Sequence, residues 1–282
     1  MINCSMKKTI IAIIFIALHF TVYAQEIEYG QLNNVHYYPE PINKGDSYIN
    51  NMCVLDVYYP KGRKNFSTVV WFHGGGLTGG KKEIPAALKG KGICIVGVGY
   101  RLSPKVKSPD FISDAAAAVS WTFKNISGWG GDTSLIFVSG HSAGAYLASM
   151  ITLDKSWLSK YNIEANRIAG LISISSQAIT HFTIRKERGL AETKVVVDSL
   201  APLNFVRADA PPTLLITGDR EQELLGRYEE NAYWYRMMKL AGHKDVRLLE
   251  LQGFDHGGMV EPALTLLVKE VMRVLKTKNI PN

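Results

Sequence analysis

Leu135-Ile136-Phe137-Val138-Ser139-Gly140-His141-Ser142-Ala143-Gly144-Ala145-Tyr146-Leu147 decides how the rest of the chain is read. Five residues of strand character run into Gly-x-Ser-x-Gly, and a helical pattern follows at once. In that strand–turn–helix setting the two glycines let the backbone turn sharply and lift the Ser142 hydroxyl clear of a sheet, as a nucleophile requires. The pentapeptide alone is a weak signal, and its placement is what gives it meaning.

On either side of this stretch, short β-branched runs alternate with longer helical stretches. Strands are expected over 31–38, 52–59, 68–72, 92–100, 134–139, 170–175, 212–217 and 246–251, and helices over 83–89, 111–125, 143–153, 228–241 and 262–277. Strand, helix, strand in repetition means parallel crossovers, hence a mostly parallel eight-stranded sheet with helices on both faces and a ligand site at the carboxyl ends of the strands. No helix is read between the first two strands, which are expected to form an antiparallel edge. Residues 178–211 break the rhythm with weak periodicity and mixed charge, a small insertion before the seventh strand that reads as a lid or substrate-binding segment.

The 282 residues carry a formal net charge of +7, are 46 % apolar and hold three cysteines. This excludes a wholly disordered, collagenous or disulfide-scaffold chain. The positive surplus is not gathered into a stripe, so nucleic acid is not an expected partner. Lys7 and Lys8 precede the apolar run Ile10 to Leu18, and Val22-Tyr23-Ala24 suits a signal peptidase. Residues 1–24 are therefore expected to be a secretory leader cleaved before Gln25, leaving residues 25–282 as one catalytic domain in the periplasm or outside the cell. The run is too short to span a bilayer, so no stable membrane insertion is expected after cleavage. Cys53 and Cys94, each in an apolar run, are expected to be buried free thiols rather than a bridge.

His73-Gly74-Gly75-Gly76 directly follows Val69-Val70-Trp71-Phe72. Glycines there admit a substrate oxygen close to the backbone, so the N–H groups of Gly74 and Gly75, with that of Ala143, form a candidate oxyanion hole. His73 itself reads as structural. A serine hydroxyl needs a base, and the base needs an acid to hold its tautomer. His256, in Gly253-Phe254-Asp255-His256-Gly257-Gly258 just past the last strand, is the candidate base. The acids cluster at Gly218-Asp219-Arg220-Glu221, past the strand before it. Chain order is then Ser, acid, His. His36, His181 and His243 lack such a setting, and neither paired Cys/His spacings nor His-Glu-x-x-His appears, so no metal and no cofactor is expected.

The ordered set resembles the α/β-hydrolase esterases of the hormone-sensitive-lipase and feruloyl-esterase-like group. It comprises His-Gly-Gly-Gly at 73–76, Tyr-Arg-Leu-Ser-Pro at 100–104, Gly-Gly-Asp at 130–132, Gly-His-Ser-Ala-Gly at 140–144, Pro-Pro at 211–212 and Asp-His-Gly at 255–257. The resemblance implies a serine carboxylesterase with Ser142 as nucleophile, His256 as base and Gly74, Gly75 and Ala143 as oxyanion donors. The residues before His73 read as two strands rather than a helical cap, which is similar to the cap-poor branch acting on short acyl or aryl esters, such as acetyl or feruloyl groups on a saccharide. The family pattern sets the acid three places after the strand-ending glycine, at Glu221, with Asp219 the alternative and Glu223 third. Two other readings remain: an amidase or peptidase of the same fold, and a hydrolase-fold binding protein without activity.

Overall fold

In the computed structural model, residues 27–278 are described, and the leader read over residues 1–24 lies outside them. Each of the eight apolar runs forms a strand: β1 (Tyr29–His36), β2 (Val54–Pro60), β3 (Phe66–Phe72), β4 (Cys94–Val98), β5 (Gly131–His141), β6 (Gly170–Ile174), β7 (Thr213–Gly218) and β8 (Val246–Leu251). They make one sheet in the order β1-β2-β4-β3-β5-β6-β7-β8. β2 is antiparallel to both of its neighbours, and every pairing from β4 to β8 is parallel. The fold is that of an α/β-hydrolase.

Alternation along the central strands feeds two cores. Val70 and Phe72 of β3, with Ile136 and Val138 of β5, pack beneath helices α3 (Asp110–Asn125) and α4 (Ala143–Leu153). Val69 and Trp71, with Leu135 and Phe137, face the opposite side, where α8 (Val260–Thr277) inserts Leu267, Val271 and Val274. With apolar faces on both sides, the central strands carry unbroken apolar stretches, Val69–Phe72 in β3 and Leu135–Val138 in β5, as parallel strands covered by helices do.

Two expectations need correction. Residues 83–89 form no α-helix, only a 3₁₀ turn at Ala86–Leu88. The chain there lies across β4, so closely that a Cβ on Gly97 would sit 2.1 Å from the Glu83 carbonyl oxygen, and Trp71 Nε1 donates to Glu83 at 3.3 Å. Between β1 and β2 stand two short helices, α1 (Glu40–Gly45) and α2 (Ser47–Met52). Asp46 starts the second by accepting from the N–H groups of Tyr48 and Ile49. The β1–β2 edge is antiparallel as expected. Cys53 and Cys94 are both free and buried.

The remaining helices are α5 (Ser156–Ser159), α6 (Phe182–Glu187) and α7 (Arg227–Leu240). The 178–211 segment is less peripheral than its composition implied, because Ala178 through His181 are buried. From β3 the chain goes first to β4 on one side and then to β5 on the other, so the order of winding reverses at β3. The carboxyl ends of β3 and β5 therefore flank the crevice where open α/β sheets take their ligands.

Candidate active site

Ser142 stands between β5 and α4 with φ 54° and ψ −116°, a conformation that side-chain-bearing residues avoid. Close packing on both sides enforces it. A Cβ on Gly140 would lie 2.5 Å from the Gly144 carbonyl carbon, and one on Gly144 would lie 2.1 Å from the Phe72 carbonyl oxygen. The turn can be this tight only with glycine at both positions. Ser142 N–H donates to Ile174 O at 2.9 Å, tying the turn to the end of β6, and the Ser142 carbonyl accepts from Tyr146 N–H as α4 begins.

His256 Nε2 lies 3.0 Å from Ser142 Oγ, and His256 Nδ1 lies 2.9 Å from Glu223 Oε2. The sequence's preferred acid is thus displaced: the carboxylate on the imidazole is Glu223, not Glu221. The physical reason is the shape of the loop after β7. Gln222 N–H and Glu223 N–H both donate to the Asp219 carbonyl, at 2.9 and 2.8 Å, which winds residues 219–223 into a single helix-like turn. Residues two apart on such a turn face opposite ways. Glu221 is accordingly turned outward and exposed. Glu223 turns back so that Oε1 accepts from Gly218 N–H at 2.9 Å and Oε2 meets the imidazole. Asp219, the alternative acid, serves the loop: its carboxylate accepts from Glu221 N–H at 3.0 Å and from Gly253 N–H at 2.7 Å, bracing the acid loop against the histidine loop.

The Glu223 side chain is 1 % exposed. Burial works to raise its pKa, but hydrogen bonds from His256, Gly218 N–H and the Ser175 hydroxyl outweigh that and bring it down to about 2. The group is therefore a carboxylate at neutral pH. With Glu223 accepting at Nδ1, that nitrogen carries the proton and Nε2 presents a lone pair to Ser142.

The loop His73–Gly76 lies beside this pair. A Cβ on Gly74 would come within 3.2 Å of His141 Nδ1 and 3.6 Å of Ser142 Cβ, so the loop touches the serine turn directly. Among the described residues, the N–H groups of Gly74, Gly75 and Ala143 have no acceptor. That of Ala143 opens an 11-residue helix whose N-terminal dipole favours negative charge. His73 braces the loop: Nδ1–H donates to Gly74 O at 2.7 Å and the ring stacks on Tyr100 at 4.3 Å, whose hydroxyl donates to His73 O.

Two residues escaped the sequence reading. His141, the variable position of the pentapeptide, donates from Nε2 to the His256 carbonyl at 3.0 Å. Burial first, then the neighbouring His256, lowers its pKa to about 4, so it is a neutral donor that holds the backbone of the base. Ser175, at the end of β6, has its Oγ 3.0 Å from His256 Nδ1. Its signal in the sequence is faint, a serine ending a strand. The Tyr100–Pro104 motif is structural, since Arg101 forms a bidentate pair with the fully buried Asp114. His36, His181 and His243 are engaged elsewhere, with Asn50 O, Thr183 N–H and Ala210 O, and no cluster of three His, Cys, Asp or Glu suited to a metal occurs among the described residues. Among them, too, no helix is long and apolar enough to cross a membrane.

A cleft of about 450 Å³ adjoins the glycine loop, lined by Thr78, Ser103, Lys107, Phe182, Thr183 and Lys186. It is tied to the site because the Thr183 hydroxyl donates to the Gly76 carbonyl and a Cβ on Gly76 would lie 3.1 Å from the Phe182 ring.

The BD-FAE family model matches residues 55–183, from β2 through both loops into α6. Esterase LipC of Mycobacterium tuberculosis is 24 % identical over 230 residues, which is 72 % of this chain but only 56 % of that protein. Kynurenine formamidase of Danio rerio is 26 % identical over 240 residues, or 78 % of this chain and 77 % of that one. A truncated carbohydrate esterase from gut microbiota superposes with a TM-score of 0.70 at 16 % identity, over 89 % of this chain and 98 % of that chain.

Proposed function

We propose that this chain, an α/β-hydrolase of the esterase group, is an exported serine carboxylesterase that cleaves short acyl or aryl esters through an acyl-enzyme. The observation that carries the reading is the run of contacts Ser142 Oγ to His256 Nε2 at 3.0 Å and His256 Nδ1 to Glu223 Oε2 at 2.9 Å, beside three backbone donors that find no acceptor among the described residues. In the first half-reaction Ser142 Oγ attacks the ester carbonyl while Nε2 takes the hydroxyl proton. The carbonyl oxygen becomes an oxyanion held by the N–H groups of Gly74, Gly75 and Ala143. Collapse expels the alcohol, which receives the proton from Nε2, and leaves the acyl group on Ser142. In the second half, Nε2 takes a proton from water, the hydroxide attacks the acyl carbonyl, and the acid leaves as Ser142 regains its proton. Glu223 stays ionised throughout and stabilises the imidazolium formed in each half.

The cleft beside Gly76 favours a polar alcohol part. Hydroxyls of Thr78 and Ser103, the ammonium groups of Lys107 and Lys186 and the face of Phe182 suit a saccharide better than a long acyl chain. Export rests on the leader read in residues 1–24. The test is a panel of para-nitrophenyl esters from acetate to palmitate, run beside acetylated xylan and methyl ferulate. Turnover falling with chain length is expected, whereas activity confined to long chains would overturn the short-acyl reading. The likeness to kynurenine formamidase over most of both chains favours one second reading, cleavage of an aryl formamide by the same triad. Formylated kynurenine hydrolysed faster than every ester would establish that reading instead.

A further inference from the structure

Ser175 is a left-handed residue without being a glycine. Its φ is 52°, it is completely buried, and it directly follows β6 beside Ser142, whose φ is 54°. The two turns are joined, since Ser142 N–H donates to the carbonyl of Ile174. A position with positive φ favours glycine, so a serine there calls for a reason in its side chain. The side chain reaches the triad: Ser175 Oγ lies 3.0 Å from His256 Nδ1, the nitrogen that Glu223 Oε2 also meets at 2.9 Å.

The conformation is imposed from below by the first turns of α7. Arg227, 1 % exposed, donates from its guanidinium to the Ser175 carbonyl. Glu230 accepts from the N–H groups of Ala178 and Ile179 at 2.8 and 3.3 Å, and Asn231 Nδ2 donates to the Ser176 carbonyl at 2.7 Å. Positions i, i+3 and i+4 share one face of a helix. That face grips four residues of the exit from β6, while the Ser175 N–H is held by Ile216 O of β7 at 2.7 Å. Both backbone groups of Ser175 are thus committed to neighbouring elements, and only its hydroxyl is directed at the catalytic histidine.

We propose that Ser175 is a positioning residue of the catalytic machinery, its hydroxyl accepting from His256 Nδ1–H while donating to the Glu223 carboxylate, so that imidazole and acid are held in one plane and one tautomer. The inference rests on the serine esterase reading and deepens it. Nδ1 has a single proton, and Glu223 and Ser175 are two acceptors for it. The hydroxyl proton, free to turn, then has the carboxylate as its partner. Without the hydroxyl, the imidazole can swing about Glu223, and the fraction of time that Nε2 points at Ser142 falls. The expected cost is about tenfold in rate, the size of one hydrogen bond to a charged group.

The test uses the whole chain and the variants Ser175→Ala, Ser175→Gly and Ser142→Ala. Three quantities are measured: the labelling rate of Ser142 by a fluorophosphonate, kcat and KM on para-nitrophenyl acetate, and the thermal midpoint. Glycine is at ease at φ 52°, so Ser175→Gly keeps the fold even where Ser175→Ala strains it, and it separates the hydroxyl from the backbone. Labelling and kcat about tenfold lower in both Ser175 variants, with KM within about twofold and the Ser175→Gly midpoint undiminished, is the result expected. Wild-type rates in Ser175→Gly, or a change confined to KM, would overturn the proposal. A wild type that neither labels nor turns over, matching Ser142→Ala, would instead bring down the serine esterase reading and this proposal with it.

Discussion

Replacing Glu223 with glutamine tests the assignment of the acid, and the geometry sets the size of the effect. Glu223 accepts at both ends, from Gly218 N–H at 2.9 Å through Oε1, and from His256 Nδ1 at 2.9 Å and Leu224 N–H at 3.1 Å through Oε2. A glutamine has one acceptor oxygen and one amide NH₂. If the oxygen keeps the fixed Gly218 N–H, the NH₂ faces Nδ1, which must then accept, and the imidazole proton moves to Nε2. That tautomer meets Ser142 Oγ with a proton in place of a lone pair and cannot act as base. The equivalent tautomer error in a serine protease costs about 10⁴ in turnover, so a loss on the order of 10⁴ is expected for Glu223→Gln. Glu221→Gln, at an exposed site away from the imidazole, should stay within about twofold of wild type. Asp219→Asn should fall between, about tenfold down, because it loosens the bond from Gly253 N–H that joins the acid and histidine loops. Initial rates on para-nitrophenyl acetate, with circular dichroism to check folding, decide the matter. A Glu223→Gln enzyme retaining a tenth of wild-type turnover, or a Glu221→Gln enzyme that is crippled, would refute the assignment.

Gly144→Ala should destabilise the fold by at least about 3 kcal/mol in thermal or urea unfolding, because its methyl would lie 2.1 Å from the backbone oxygen of Phe72. Gly128→Ala, with nothing within 4 Å of the new methyl, serves as a near-neutral control. Stability should also fall on mild acidification. Burial lowers the pKa of His73 and His181, and that of His141 to about 4, so each imidazole is neutral in the fold when the unfolded chain begins to bind protons near 6.5. Their contribution is complete above pH 6.5 and is lost as pH falls below it, for His141 at roughly 1.4 kcal/mol per pH unit down to about 4, partly offset by Glu230, whose carboxyl pKa is raised by burial. Glu223 adds its own loss only below the usual carboxylate value, between about 4.5 and 2. Urea midpoints that are flat from pH 7 to 5 would contradict the buried neutral histidines. N-terminal sequencing of exported protein should begin at or near Gln25, and a mature chain retaining Lys7 and Lys8 would refute the leader.

The strands were legible because their signal is local: Val69-Val70-Trp71-Phe72 has no reading but a buried strand, and glycines on both sides of Ser142 announce the sharp turn. His256 was legible for a similar reason, as the histidine in a glycine-rich loop past the last strand. The acid was not, because its identity depends on how residues 219–223 wind, and the hydrogen bonds to the Asp219 carbonyl that set the winding have no signature in residue type. The helix expected over 83–89 failed for a tertiary reason, since Gly97 allows that stretch to lie extended on β4. α1 and α2, at six residues each, are too short to show periodicity. Ser175 and His141 act through partners on distant elements, His256 being 81 and 115 positions away, a relation that only the folded chain displays.

The central claim is that Ser142 carries the acyl group between two half-reactions. Rapid acid quench during turnover of para-nitrophenyl acetate, followed by digestion and mass spectrometry, reads this directly. One acetyl group on the peptide containing Ser142, absent from Ser142→Ala, is the result predicted. Steady ester hydrolysis with no acetyl on that peptide, or with hydrolysis undiminished in Ser142→Ala, would contradict it.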